Sequence, residues 1–141
     1  LFKIWWLGPI IRFYNSFPIK RGVFDREAMA TSLAILERGR SLLIFPEGGR
    51  IAGGELGSAR SGVGYLAIRS GVPVVPCYVE GTDRLRDCLI RKSRVRVIHG
   101  KPIRIPVGLL DEYRSQDDRA IYRRHSDTVM AAIQALKERR R

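Results

Sequence analysis

The feature that most constrains the fold is a short apolar run that leads directly into a glycine-rich segment. Residues 41–45 (SLLIF) are mainly apolar and have turn-forming residues on both sides, which predicts a buried strand. Residues 46–57 follow at once and contain five glycines, which predicts a loop. In an open α/β sheet, ligands bind beyond the carboxyl ends of the strands. The sequence therefore predicts a binding loop directly after a buried strand.

Helices and strands are predicted to alternate around this loop. Asp25 is a good N-cap for a helix that ends at Gly39. The apolar face of that helix is predicted to carry Met29, Leu33 and Leu36. Residues 61–70 predict a second helix, closed by Gly71. Residues 72–79 (VPVVPCYV) predict a strand that is irregular or lies partly at an edge, because its two prolines remove ladder donors.

The C-terminal third continues the alternation. Residues 94–99 alternate Arg and Val, which predicts a strand with one face in water. Ser115 and Asp118 resemble a capping box for a last helix within residues 115–141. Its apolar face is predicted to carry Tyr122, Val129, Ile133 and Leu136. The whole pattern predicts an α/β domain, with flanking helices on a layered, mostly parallel sheet.

The chain is strongly basic for its size. It has 141 residues, the length of one domain, and 26 Lys and Arg against 14 Asp and Glu, a net charge of +12. This excess indicates an anionic partner, which could be a phosphorylated metabolite, an anionic lipid or a nucleic acid. Two cysteines and two widely separated histidines argue against a disulfide framework and a structural zinc site. We therefore expect no metal and no cofactor.

The first 14 residues (LFKIWWLGPIIRFY) are the most apolar part of the chain. As a helix they would extend only about 20 Å, short of the roughly 30 Å hydrocarbon core of a bilayer. The pattern of a signal peptide is also missing. Tryptophans with scattered cations suit a segment that lies in the membrane interface. A core helix with Trp5 and Trp6 packed inward is an equally open interpretation.

Two charged residues of the glycine-rich loop are candidates for ligand binding. The planar guanidinium of Arg50 matches the geometry of phosphate oxygens. The Glu47 carboxylate could pair with Arg50 or accept a hydrogen bond from a substrate hydroxyl. Taken alone, the Pro-Glu-Gly sequence is equally compatible with a plain turn that carries a surface ion pair.

Several short motifs in a fixed order make a more specific pattern. The pieces are Arg21-Gly22, residues 45–50 (FPEGGR), Arg60-Ser61-Gly62, residues 72–77 (VPVVPC), Glu80-Gly81-Thr82 and residues 100–103 (GKPI). Over about residues 1–105, this set resembles the 1-acylglycerol-3-phosphate acyltransferase family of glycerolipid enzymes. One departure is Gly49, which stands where the family has Thr and removes a hydroxyl from the turn.

The resemblance implies a role for each matching residue. Arg21 would contact the phosphate of a glycerophosphate acceptor, and Glu47 with Gly48 would shape the acceptor site. Arg50 would add a phosphate contact or hold Glu47. The implied substrate-binding set is Arg21, Glu47, Gly48, Gly49 and Arg50. Pro73 and Pro76 would form a wall near the acyl donor, although a purely structural role in bending the strand is as well supported.

The catalytic pair of the family, His-x-x-x-x-Asp, is not found in this chain. In the family it precedes the Arg-Gly segment, where His takes the proton of the acceptor hydroxyl and Asp orients the imidazole. No His precedes Arg21, and neither His99 nor His125 has Asp five residues later. We expect either a partial domain, which the Leu at position 1 favours, or a degenerate member that binds anionic lipid without catalysis.

The resemblance also implies partners and a location. The donor would be acyl-CoA or acyl carrier protein, and the acceptor would be similar to lysophosphatidate. The enzyme would be monotopic, on an anionic membrane surface at the cytoplasmic face, with no transmembrane helix in this chain. The competing hypothesis is a basic nucleic-acid-binding module. It is disfavoured because no nucleic-acid motif is present and the aromatic residues cluster in residues 1–17, away from the Arg-rich stretches.

Overall fold

The computed structural model describes residues 24–49, 55–81, 94–116 and 118–139, together with residues 5, 13, 16, 17 and 19. The chain divides into two compact units, residues 1–42 and residues 43–141. Most of the N-terminal segment at residues 1–14 lies outside the described residues. Within the described ranges, no helix combines the length and the apolarity that are needed to cross a bilayer.

The first unit contains helix α1 (Arg26–Glu37). The Asp25 carboxylate accepts a hydrogen bond of 3.2 Å from the backbone N–H of Ala28, so the predicted N-cap is confirmed. Met29 is buried, as the apolar pattern predicts. The helix ends before Gly39, where the chain enters the left-handed region.

The second unit combines helices with a small sheet. Its elements are α2 (Gly62–Ser70), β1 (Cys77–Glu80), β2 (Arg96–His99), α3 (Val107–Gln116) and α4 (Arg119–Glu138). Strands β1 and β2 pair antiparallel, from Cys77 opposite His99 to Glu80 opposite Arg96. The mixed α and β content agrees with the prediction. The described residues contain only antiparallel pairing, so the layered, mostly parallel sheet stays a prediction.

The predicted buried strand at residues 41–45 is wrong for the described structure. Among the described residues, these pair with no other strand. The side chains of Leu43 and Phe45 are 80% and 64% exposed, whereas Ile44 packs against the core of the second unit. The physical reason is that a strand needs a neighbour for its backbone hydrogen bonds, and an apolar run cannot supply one by itself.

The strand at residues 72–79 is irregular, as its two prolines predict. Val74 and Ile103 exchange a pair of backbone hydrogen bonds of 2.9 and 2.8 Å, which form an isolated bridge. The continuous strand β1 begins only after Pro76, whose carbonyl accepts a hydrogen bond of 2.9 Å from the N–H of Gly100. The prolines thus interrupt the ladder that they cannot join as donors.

Helices α2 and α4 cross with an unusually close backbone approach. The N–H of Gly64 in α2 donates a 2.9 Å hydrogen bond to the hydroxyl of Ser126 in α4, and Ser126 is completely buried. A Cβ atom at position 64 would collide with the backbone carbonyl of Tyr122. The rings of Tyr65 and Tyr122 meet edge to face beside this crossing, with their centroids 5.3 Å apart.

The buried core of the second unit lies at this crossing. Its buried cluster consists of Ala59, Val63, Val129, Met130 and Ile133. All four residues predicted for the apolar face of the last helix are buried, so that prediction is confirmed. The predicted capping box, with Ser115 as the N-cap, is wrong. Asp118 is the N-cap and accepts a hydrogen bond of 2.8 Å from the N–H of Ala120, whereas Ser115 belongs to α3.

Helix α3 was not predicted from the sequence. It begins just after Pro106 and its apolar periodicity is weak. Arg114 nevertheless ties it to α2, because its guanidinium donates hydrogen bonds of 3.1 and 3.0 Å to the carbonyls of Ile68 and Arg69. Such cations satisfy the unpaired carbonyls at a helix C-terminus. The contact depends on tertiary structure, which explains why sequence patterns did not predict it.

One face of the β1–β2 pair is apolar and exposed. Val79 lies opposite Val97, and Val97 is 61% exposed. On the other face Tyr78 packs against the core, and Arg96 forms an ion pair of 3.7 Å with Glu80. The predicted strand forms at residues 96–99, but the expectation that only one of its faces is in water is wrong, because Val97 is exposed as well as Arg96.

The close crossing predicts that Gly64→Ala destabilises the protein. In a helix interior, Ala is more favourable than Gly by roughly 1 kcal/mol. Overpacking costs about 1–3 kcal/mol, and the cost is not relieved here because a backbone carbonyl cannot rotate away as a side chain can. A collision with a backbone carbonyl belongs at the upper end of that cost, so we expect a net loss of about 2 kcal/mol in the free energy of unfolding, measured by urea denaturation. Gly49→Ala is the control, since a Cβ at position 49 meets nothing within 4 Å. Equal stability of the two variants would show that the crossing is looser than described.

Candidate functional site

The chain turns sharply at the predicted Pro-Glu-Gly motif. The N–H of Gly48 donates a hydrogen bond of 3.0 Å to the carbonyl of Phe45, which closes a four-residue turn. Pro46 occupies the second position and Gly48 the fourth, and both residue types are favoured there. Gly48 has φ +67°, a conformation that costs a residue with a side chain about 1 kcal/mol or more. The turn therefore follows from local sequence.

A second segment, residues 57–60, closes around this turn. The N–H of Gly57 donates a hydrogen bond of 3.1 Å to Oε1 of Glu47. The N–H of Arg60 donates a hydrogen bond of 2.8 Å to the carbonyl of Pro46. The half-buried Glu47 carboxylate is thus anchored to a backbone ten residues further along the chain. This anchoring leaves its second oxygen available for another donor.

The Arg60 side chain lies directly over Gly48. Its Nε donates a hydrogen bond of 3.3 Å to the carbonyl of Glu47. A Cβ atom at position 48 would lie 2.5 Å from Cδ and 2.7 Å from Nε of Arg60. Glycine is therefore required at position 48 for two reasons, the positive φ and the close approach of this arginine.

The core holds both segments in place. Ala59, adjacent to Arg60, is buried in the central cluster, and Ile44 and Leu56 pack against the same cluster. Residues 57–60 lead directly into helix α2, which begins at Gly62. The packing of α2 therefore sets the position of Arg60, and Arg60 in turn contacts the Pro-Glu-Gly turn.

The structure describes some of the residues predicted to bind substrate and not others. Glu47, Gly48 and Gly49 lie together in or beside the turn. Arg21 and Arg50 lie outside the described residues, so their predicted roles stay predictions.

The two prolines predicted for the acyl-donor wall lie in the segment around β1. Pro73 is exposed, whereas Pro76 is buried. The hydrogen bond described for Pro76 joins it to Gly100 and not to the turn. This contact agrees with the structural alternative for Pro76, and the donor-wall role of both prolines stays a prediction.

Arg60 is a site residue to which the sequence analysis assigned no role. It appeared only as part of the Arg-Ser-Gly motif. The signal that could have revealed it is the place of a cation at the end of the glycine-rich loop, just before a predicted helix. The contact with Gly48 spans a separation of 12 residues, and no local pattern indicates a contact of that kind.

The two histidines of the chain lie apart from this turn in the contacts described. His99 is exposed at the end of β2. The His125 ring lies 5.2 Å from the Tyr113 ring, centroid to centroid, and partial burial together with Arg124 lowers the pKa of His125 below its usual 6.5. Asp127 instead accepts a hydrogen bond of 3.2 Å from Arg123. In the described ranges, no cluster of three His, Cys, Asp or Glu side chains could hold a metal ion.

The anchoring of Glu47 predicts a local effect of its removal. In Glu47→Ala the Gly57 amide loses its acceptor, and one hydrogen bond contributes about 1 kcal/mol. We expect the hydrogen exchange of the Gly57 amide, followed by NMR, to accelerate by about fivefold to tenfold. Glu55→Ala is the matched control in the same loop, because Glu55 pairs with Lys137 instead. An unchanged Gly57 exchange rate in Glu47→Ala would contradict the contact.

Comparison with known proteins identifies the family of this chain. The profile of the Acyltransferase family matches residues 1–80, more than half of the chain. A chloroplastic 1-acyl-sn-glycerol-3-phosphate acyltransferase of Arabidopsis thaliana is 35% identical over 81 residues, which cover 55% of this chain and 23% of that protein. The 1-acyl-sn-glycerol-3-phosphate acyltransferase of Bacillus subtilis is 26% identical over 103 residues, 73% of this chain and 50% of the relative.

A third relative, a probable 1-acyl-sn-glycerol-3-phosphate acyltransferase of Mycoplasma pneumoniae, is 30% identical over 112 residues, 70% of this chain and 41% of that protein. The chain thus spans half or less of the length of these three relatives. No solved structure matches the chain significantly. The predicted resemblance is confirmed, and the chain belongs to the acyltransferase family of enzymes, with relatives named 1-acyl-sn-glycerol-3-phosphate acyltransferases.

Proposed function

We propose that the protein transfers a fatty acyl group from an acyl thioester to the free hydroxyl of a 1-acylglycerol-3-phosphate. The donor would be acyl-CoA or acyl carrier protein. The observation that carries the proposal is the Pro46–Gly48 turn, with the Glu47 carboxylate anchored by the N–H of Gly57 and the turn covered by Arg60. The turn lies within residues 1–80, which the family profile matches, and the relatives are named 1-acyl-sn-glycerol-3-phosphate acyltransferases.

The residues of the turn suit the binding of a polar acceptor. One Glu47 oxygen is occupied by Gly57, and the other can accept a hydrogen bond from an acceptor hydroxyl. Gly48 and Gly49 expose backbone that a ligand can approach closely. In this proposal Arg21 and Arg50 contact the acceptor phosphate, because a guanidinium binds phosphate through two parallel hydrogen bonds.

The reaction itself needs a base that these residues do not supply. The acceptor hydroxyl attacks the thioester carbonyl, its proton passes to a base, and the thiolate of the donor leaves. The family resemblance assigns the base to a His-x-x-x-x-Asp pair, which is absent from the 141 residues. We therefore propose that these residues form the acceptor-binding part of the enzyme and need such a pair from outside this segment.

The exposed valine face supports a larger sheet than the described strands show. A two-stranded ribbon is marginal by itself, and a sheet face that carries Val79 and Val97 is stabilised when another layer covers it. We propose that residues 1–141 are part of one acyltransferase domain with a layered, mostly parallel sheet. Pro73 and Pro76 would then flank the acyl-donor side of that sheet.

The missing base predicts a sharp difference in activity. The 141-residue chain, incubated with acyl-CoA or acyl carrier protein thioester and lysophosphatidate, is expected to show no turnover above the uncatalysed rate. A chain extended upstream to include a His-x-x-x-x-Asp pair is expected to form phosphatidate, detected by mass spectrometry. Turnover by the short chain would overturn the missing-base argument. Inactivity of an extended chain that contains the pair would favour a degenerate lipid-binding member.

We also propose that the enzyme acts at an anionic membrane surface at the cytoplasmic face, with residues 1–14 in the interface. Two described residues of that segment, Trp5 and Phe13, are 87% and 82% exposed. Exposed aromatic rings beside cations are typical of interfacial segments. The net charge of +12 adds attraction to anionic lipid, since each nearby Lys or Arg contributes about 1 kcal/mol.

This proposal predicts salt-sensitive binding to anionic vesicles. We expect the chain to sediment with phosphatidylglycerol vesicles at low salt and to bind phosphatidylcholine vesicles at least about tenfold more weakly. Raising the salt concentration should release it, because the charges are screened within roughly 10 Å. Trp5→Ser should weaken binding, whereas Arg104→Gln, a change in an exposed loop, should have a small effect. Binding to RNA but not to anionic vesicles would favour the nucleic-acid alternative.

A further inference from the structure

The position of Arg60 suggests a specific part in substrate selection. We infer that Arg60 determines specificity for a phosphorylated acceptor, by binding the phosphate with its two terminal nitrogens while its Nε holds the Pro46–Gly48 turn. This inference rests on the proposed function and adds a residue to the acceptor site. The Arg60 side chain would then both hold the turn and recognise the negative charge of the acceptor phosphate.

Arg60 is held in place before any ligand arrives. Its backbone N–H bonds to the carbonyl of Pro46 at 2.8 Å, and its Nε bonds to the carbonyl of Glu47 at 3.3 Å. Its Cδ fills the space that a side chain at position 48 would occupy. A side chain that is already ordered loses less conformational entropy when it binds a ligand.

The terminal nitrogens of the Arg60 guanidinium remain available to a ligand. A guanidinium has five N–H donors, and the bond from Nε uses only one of them. Arg60 is exposed, and within the described ranges its terminal nitrogens form no hydrogen bond. These donors form a planar fork that fits two oxygens of a phosphate group.

The charge of Arg60 is not neutralised by any ion pair among the described residues. The ion pairs found among the described residues use Arg96, Arg114, Arg123 and Lys137, and none of them involves Arg60. Arg60 contacts the carbonyl of Glu47, while the carboxylate of the same residue is bound to Gly57. Arg60 therefore carries a positive charge with no carboxylate partner in the described ranges, beside a turn that is open to ligands.

Lysine at position 60 could not both hold the turn and bind phosphate as arginine can. Its ammonium is a single point of charge and cannot hold the Glu47 carbonyl through one nitrogen while it presents a planar fork to phosphate. Arg60→Lys should therefore keep part of the phosphate affinity, and Arg60→Gln should lose nearly all of the contribution of charge. This graded order distinguishes phosphate recognition from a purely structural role.

A direct binding experiment tests the inference without turnover. Calorimetric titration of the 141-residue chain with sn-glycerol 3-phosphate, inorganic phosphate and glycerol compares wild type, Arg60→Lys, Arg60→Gln and the control Arg104→Gln. We expect Arg60→Gln to weaken glycerol 3-phosphate binding by about tenfold or more, Arg60→Lys to be intermediate, and Arg104→Gln to stay within about twofold. Tighter binding of glycerol 3-phosphate than of inorganic phosphate would show that the site recognises the acceptor and not a free anion.

An activity experiment on the upstream-extended chain supplies the second readout. Arg60→Gln should lower kcat/KM for lysophosphatidate by about tenfold or more, and lower it less than about twofold for the uncharged acceptor monoacylglycerol. Circular dichroism and the urea midpoint test whether each variant is folded. If Arg60→Gln does not fold, the comparison of wild type with Arg60→Lys still tests the inference.

Several outcomes overturn the inference. They are equal losses on both acceptors, undiminished glycerol 3-phosphate binding by Arg60→Gln, or no binding by wild type. Binding that depends on Arg60, in an extended chain without turnover, would support the inference and overturn the proposed reaction instead.

Discussion

The crossing of α2 and α4 is the contact on which the described second unit depends. Because Gly64 has no side chain, the backbone of α2 approaches the carbonyl of Tyr122 and bonds to the buried hydroxyl of Ser126. Val63 of α2 and Val129, Met130 and Ile133 of α4 belong to one buried cluster, so apolar side chains of both helices pack together at the crossing. Direct backbone contact of this kind leaves little freedom for the helices to slide, since interiors are closely packed.

The candidate site follows from that crossing through a short chain of contacts. Helix α2 begins at Gly62, and buried Ala59 fixes the residues just before it. Those residues include Gly57 and Arg60, whose hydrogen bonds hold the Pro46–Gly48 turn. The turn therefore has a defined geometry although it lies in a loop. A rigid scaffold beneath a loop is the usual way in which proteins position binding residues.

The second unit has exposed apolar side chains both before the turn and on the two-stranded sheet. Leu43 and Phe45 precede the turn directly, and Val79 and Val97 form one face of the two-stranded sheet. Exposed apolar side chains on adjacent strands mark surfaces that another layer or another molecule covers. The sequence of residues 41–45 suits a pleated, buried surface, which explains why a strand was expected there, although it pairs with no strand among the described residues.

Sequence by itself determined the features that depend on neighbouring residues. Asp25 as an N-cap, the glycines after the helices, the apolar face of α4, the irregular strand around Pro73 and Pro76, and the turn at Pro46–Gly48 all follow from local backbone preferences or from periodicity. The ordered motifs also identified the family.

Tertiary structure decided the features that depend on residues far apart in the chain. It placed Arg60 over Gly48, anchored Glu47 to Gly57, and joined Arg114 to the end of α2. Within the described ranges, it also left residues 41–45 without a paired strand and Val97 of β2 exposed. Local propensity specifies the conformation of a segment, but burial and pairing depend on which segments meet. For the turn and Arg60, the packing of α2 against α4 determines which segments meet.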